Sequence, residues 1–255
     1  MTLSKLPPEN RGEIRAGPLR YHRAFYSTWS RRLKLLLKVT RLNTTGLDKV
    51  QKSIGCILAP NHLNWKDPFF VSAVVPRPVR FVATYRLFDP SLCLQMLDEH
   101  AVKLTSDASQ LRRYHKINQR LARFAVKRVL FSGAIPSQLN GGEYSLLDSL
   151  KKQLNNKRLI CLFPEGRVSS PNKLHRFKLG LSRFLYDEYA QNGYSIPVFP
   201  VGITGTNQPF WPGMKLGLHI GDPLFIRDYL GSKVSKTLRG FTDSLKEHIV
   251  DLMHL

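Results

Sequence analysis

Acid is scarce in this chain of 255 residues: 18 Asp and Glu stand against 39 Lys and Arg, a formal charge of +21. Such a surplus favours anionic partners, whether nucleic acid, lipid headgroups, a phosphorylated substrate or an acidic carrier protein. Cysteine is also rare. Cys56, Cys93 and Cys161 are odd in number and lack metal-like spacing, which argues against a disulfide framework and a zinc site. They read as buried thiols kept in a reducing compartment. No apolar run approaches the ~20 residues that span a bilayer. The N-terminus has no signal-peptide core, so the expectation is a cytoplasmic chain without a transmembrane span. Internal repeats are absent. So is a Gly-x-Ser-x-Gly elbow, which removes the usual setting for a serine nucleophile.

What is present changes character along the chain. Residues 1–19 carry Pro7, Pro8, Pro18 and mixed charges without periodicity, and read as a flexible tail. From Arg20 to Leu42, Tyr21, Phe25, Trp29, Leu33 and Leu36 recur at helical spacing, with Arg and Lys filling much of the rest. No acid occurs between Glu13 and Asp48. Residues 20–48 are therefore read as an amphipathic basic helical segment suited to a membrane interface, or to packing on a core with its basic face in water. A second basic helix is expected at about Gln110 to Leu130, where Leu111, Tyr114, Ile117, Leu121 and Phe124 form one stripe. Further helices are expected at Phe69–Val75, around Leu146–Leu154, around Phe177–Tyr189 and at Val234–Leu252. Strands are expected before residue 60 and at Val79–Tyr85, Leu159–Phe163, Ile196–Ile203 and Leu216–Ile220. Strands alternating with helices predict an α/β fold, a mostly parallel central sheet flanked by helices.

Two stretches carry chemistry. In the first, an apolar run (Cys56, Ile57, Leu58) leads through Asn61, His62 and Asn64 to Asp67-Pro68. Asp followed by Pro is a helix-start signal, placing His62 in a loop and Asp67 at the cap. Such a loop can bring the Asp67 carboxylate to one ring nitrogen of His62 and leave the other free as a base. Taken alone, the pair also reads as an ordinary loop histidine and a helix cap. In the second stretch, Phe163-Pro164-Glu165-Gly166-Arg167 follows the Leu159 strand. Ligands in open α/β sheets collect beyond the carboxyl ends of strands. Gly166 permits close backbone approach there, and Arg167 offers a planar fork for phosphate.

These residues, in this order, resemble the glycerolipid acyltransferases, particularly the bacterial 1-acylglycerol-3-phosphate acyltransferases. Asn61, His62 and Asp67 match the family's first block, Asn-His, four residues, Asp. Phe163 to Arg167 match the third, and Ile196-Pro197-Val198-Phe199-Pro200-Val201 match the apolar fourth. Phe177-Lys178-Leu179-Gly180 is similar to the start of the helix after the third block. Two departures stand out. Gly133-Ala134-Ile135-Pro136-Ser137-Gln138 keeps the glycine and isoleucine of the second block but has Gln138 near the usual arginine. Arg167 also lies two residues after Glu165 where three is common.

The resemblance implies an acyltransferase domain over residues 49–255, moving a fatty acyl group from acyl-CoA or acyl carrier protein to a lysophospholipid acceptor. His62 and Asp67 are the expected catalytic pair; Glu165, Gly166, Arg167 and Lys178 are the expected acceptor-binding residues. Neither a metal nor a cofactor beyond the acyl thioester is required. The expected setting is the cytoplasmic side of an anionic membrane, peripheral or monotopic. Glycerol 3-phosphate or another lysolipid stays open as acceptor. A non-enzymatic binder of nucleic acid or anionic membrane stands as the weaker rival, since no nucleic-acid fold signature is present and a pure binder would not need the His, Asp and Glu of these blocks.

Overall fold

The apolar run at Cys56–Pro60 has no polar position to turn toward water, so it needs cover on both faces. The computed structural model supplies it, and describes residues 28, 31, 33–35, 37–50, 54–137, 146–168, 174–209 and 211–255. The described residues divide into two units, one within 23–82 and 150–255, the other within 83–149.

The larger unit holds the sheet. Its strands are β1 (Arg41–Thr45), β2 (Cys56–Pro60), β3 (Val79–Ala83), β5 (Leu159–Cys161), β6 (Val198–Thr204) and β7 (Lys215–Ile220), numbered with β4 (Ile135–Pro136) of the other unit. Their order is β1-β7-β6-β2-β5-β3. β2 lies parallel between β5 and β6, with Leu58 opposite Cys161 on one side and Phe199 on the other. β3 is parallel to β5 and β1 to β7; β6 and β7 are antiparallel. The sheet is mostly parallel, as the alternating pattern predicts. Every residue of β2 and β5 is buried. Arg77 is buried at the opposite end, where its guanidinium donates to Ile54 O and Lys157 O and pins the starts of β2 and β5 together.

Helices of this unit are α1 (Asp67–Val74), α5 (Gly180–Asn192) and α6 (Val234–Met253), with α4 (Leu146–Asn155) bringing the chain into it. α6 packs on β6 and β7. Gly202 of β6 makes that contact possible, because a Cβ there would lie 2.7 Å from the Leu252 side chain.

The smaller unit is built on α2 (Pro90–Leu104) and α3 (Ala108–Ser132), packed as a hairpin. Cys93 of α2 meets Ala122 and Val126 of α3. Asp89 caps α2 by accepting from the N–H groups of Ser91 and Leu92; Asp107 caps α3 through Ser109 and Gln110.

Three sequence expectations change. The sequence pattern predicts no helix over residues 90–104, yet α2 forms there from Asp89-Pro90, the same start signal as Asp67-Pro68. The basic segment expected as helical over residues 20–48 turns to strand at Arg41, because Arg41–Thr45 finds a parallel partner in β7. Thr28, Arg31, Leu33, Lys34, Leu35 and Leu37 before it are helical, with Leu37 packed on the sheet core and Leu35 65 % exposed. The helix around Phe177 begins only at Gly180. The tail at residues 1–19 and Gln138 lie outside the described residues. Among those described, no helix is long and apolar enough to cross a membrane.

Candidate active site

β5, β2 and β6 are adjacent, and β2 is parallel to both, so their carboxyl ends open on one edge of the sheet. The chain leaving β2 carries Asn61 and His62, that leaving β5 carries Phe163 and Glu165, and that leaving β6 carries Thr206. Topology therefore collects, in one place, residues about a hundred positions apart.

Asn61 anchors the loop. It is fully buried, its amide donates to Ile203 O at 2.9 Å, and its Oδ1 accepts from Ile203 N–H at 2.7 Å. With β2 tied to β6 in this way, the next residue is held at a fixed height over the sheet edge. His62 Nδ1 lies 2.8 Å from Asp67 Oδ2. The ring stacks on Phe163, centroids 4.0 Å apart and planes inclined by 23°.

Asp67 is the first residue of α1, with Lys66 at the cap position. Its carboxylate does not cap the helix, contrary to the sequence expectation. It turns back onto the loop, where Oδ2 accepts from Asn64 N–H at 2.8 Å as well as from the imidazole, and Oδ1 accepts from the Thr206 hydroxyl. The group is fully buried, and three donors compensate its lost hydration. An acceptor at Nδ1 requires the proton on that nitrogen, so the lone pair of the neutral ring sits on Nε2. Nε2 has no hydrogen-bond partner among the described residues, and the side chain keeps 14 % exposure. The arrangement is an oriented base open on one side.

Glu165 reaches the same place by a different contact. Its Oε1 accepts from the backbone N–H of His62 and its Oε2 from that of His175, each at 2.8 Å. The carboxylate is 2 % exposed and ties two loops together. Gly166 is exposed with φ +65°, a conformation that favours glycine, and a Cβ there would lie 2.6 Å from Lys178 Nζ. Lys178 N–H donates to Pro164 O at 2.9 Å, which sets the lysine beside this turn. The exposed Arg167 places a guanidinium nitrogen 3.0 Å from His175 Nδ1. Two cations thus lie near Gly166, next in sequence to the buried Glu165.

Thr206, His175 and the stacking role of Phe163 were missed by sequence reasoning. Thr206 had one usable signal, its place just beyond the carboxyl end of an apolar strand next to β2. Cys161, in β5 behind the pair, has its thiol pushed well up by burial, with the Asp67 carboxylate adding to the effect. Among the described residues, no group of His, Cys, Asp and Glu is arranged to hold a metal ion.

Comparison with known proteins bears on this geometry. The Acyltransferase family model matches residues 41–204, from the start of β1 to the end of β6. Among solved structures, the crystal structure of the 1-acyl-sn-glycerophosphate (LPA) acyltransferase PlsC from Thermotoga maritima is similar, with a TM-score of 0.52. That likeness covers 90 % of this chain and 78 % of the other at 20 % identity, and speaks for the fold. No curated protein sequence matches. A family model spanning more than half of the chain, over the fold of a glycerolipid acyltransferase, shows that this chain belongs to the Acyltransferase family.

Proposed function

We propose that this O-acyltransferase moves a fatty acyl group from acyl-CoA or acyl carrier protein to the free hydroxyl of 1-acylglycerol 3-phosphate, forming phosphatidic acid. The observation that carries the reading is the contact between His62 Nδ1 and Asp67, which leaves Nε2 as the base. A glycerol hydroxyl is a poor nucleophile until its proton is removed. Nε2 takes that proton as the oxygen attacks the thioester carbonyl; a C–O bond forms, the C–S bond breaks, and the imidazolium returns the proton to the thiolate. Asp67 stabilises the imidazolium and fixes its orientation. Arg167 and Lys178 supply positive charge for the acceptor's phosphate, and Gly166 lets the acceptor approach the backbone. Glu165 sets the height of the His62 backbone and, through it, of the ring.

Acylation of glycerol 3-phosphate or another lysolipid is the second reading, favoured by Gln138 standing where the resemblance leads one to expect an arginine. The test is transfer of labelled acyl thioester to a panel of acceptors, with wild type and His62→Ala in parallel. Preference for 1-acylglycerol 3-phosphate, abolished in the variant, is the expected result. Preference for another acceptor selects the second reading, and transfer unaffected by the substitution removes His62 as the base. Arg167→Ala should raise KM for a phosphorylated acceptor more than for an uncharged one.

A further inference from the structure

The stripe on α3 does not face the protein. Asn118, Ala122 and Val126 are the buried residues of this 25-residue helix. Ala122 and Val126 pack against Cys93 of α2, while Asn118 donates to Asp98 Oδ1 at 2.8 Å. Tyr114, Ile117, Leu121 and Phe124 lie elsewhere on the circumference, 37 %, 45 %, 48 % and 51 % exposed. Their spacing of three, four and three residues makes one continuous ridge. Arg113, Arg120 and Lys127, all exposed and seven residues apart, run beside it. Between Ala108 and Ser132 there are seven Arg and Lys and no Asp or Glu.

We infer that α3 docks on an anionic lipid surface, its aromatic and aliphatic ridge entering the acyl boundary and its basic flank lying among the headgroups. Each half of the pattern narrows the occupant. A ridge of Ile, Leu and Phe gains nothing from a sugar-phosphate backbone, which argues against nucleic acid. A second copy of the same ridge would bring two all-basic helices together, which argues against self-association. Hydrocarbon under a layer of negative charge satisfies both halves. This inference concerns a surface of the smaller unit and stands independently of the acyl acceptor.

The chain's own chemistry provides the test, because Cys56, Cys93 and Cys161 are buried and a new surface thiol labels selectively. Phe124→Cys and, as a control on a polar part of the helix, Gln119→Cys are labelled with an environment-sensitive fluorophore. Phosphatidylcholine vesicles with and without phosphatidylglycerol are then added. The expected result is a blue shift at position 124, weak or absent at 119, that requires the anionic lipid. Equal shifts at both positions or no shift at 124 overturn the inference, as does a shift at 124 produced by duplex RNA or by raised protein concentration alone. In the unlabelled full chain, Leu121→Ser with Phe124→Ser should weaken binding to anionic vesicles about 30-fold. Arg120→Gln should weaken it about fivefold, and only where anionic lipid is present. Both variants change exposed side chains, so their far-UV circular dichroism should match wild type. Binding unchanged in the double variant also overturns the inference.

Discussion

Glu165 and His62 meet through the backbone and not through the ring: Glu165 Oε1 accepts from His62 N–H at 2.8 Å, while the imidazole turns to Asp67. Two carboxylates therefore hold one histidine, one fixing where its main chain sits and the other which ring nitrogen carries the proton.

Removing the base should remove the chemistry and little else. His62→Ala is expected to lose about 10²–10⁴-fold in kcat, the usual worth of a general base. Asp67→Asn should fall in the same range, because an amide in that position no longer selects the tautomer with a free Nε2. Single-turnover acyl transfer measures both.

Thr206 acts on the ring only through Asp67, so its effect should be graded. Thr206→Val deletes a buried donor to a carboxylate, expected to cost about 1.5–3 kcal/mol in urea unfolding. Its loss in kcat should be smaller than that of Asp67→Asn. Thr206→Ser, which keeps the hydroxyl, should restore most of it. Loss in the Ser variant with none in the Val variant would show that the methyl group, not the hydroxyl, matters.

Glu165→Gln separates support from substrate contact. The amide can accept one of the two backbone N–H donors but turns its own N–H₂ toward the other, leaving a buried donor unsatisfied at about 1–3 kcal/mol. Lower thermal stability and lower kcat are expected, with KM rising alike for phosphorylated and uncharged acceptors. Unchanged stability with a selective rise in the acceptor's KM would instead make Glu165 a substrate ligand.

His219 predicts a pH dependence distant from the chemistry. It is buried in β7 with Nδ1 3.0 Å from Thr45 Oγ1, and burial lowers its pKa below the ordinary 6.5. Below that value the unfolded chain takes up a proton that the folded chain resists, so stability is complete above about pH 6.5 and declines as pH falls toward the folded value. Urea unfolding between neutral and mildly acid pH should show this slope, and His219→Gln should flatten it.

Sequence by itself determined the composition of each element and the order of the motif blocks. Continuous apolar runs at Cys56–Leu58 and Leu159–Cys161 had to become strands covered on both faces, since neither has a polar side for water. Alternation with amphipathic helices then made a mostly parallel sheet, with His62 and Glu165 beyond strand ends.

Tertiary structure decided what each side chain meets. Asp67-Pro68 and Asp89-Pro90 are the same dipeptide, yet Asp89 sits at the cap position and caps α2, while Asp67 is the first residue of α1 and serves His62 and Thr206. The difference is that β6 delivers a hydroxyl, and the loop an imidazole, to one carboxylate and not to the other. Likewise, periodicity placed Tyr114, Ile117, Leu121 and Phe124 on one face of α3 without saying what lies across from it. A repeat along one chain records which side chains share a direction; only the packing of other segments settles whether that direction ends in protein or in solvent.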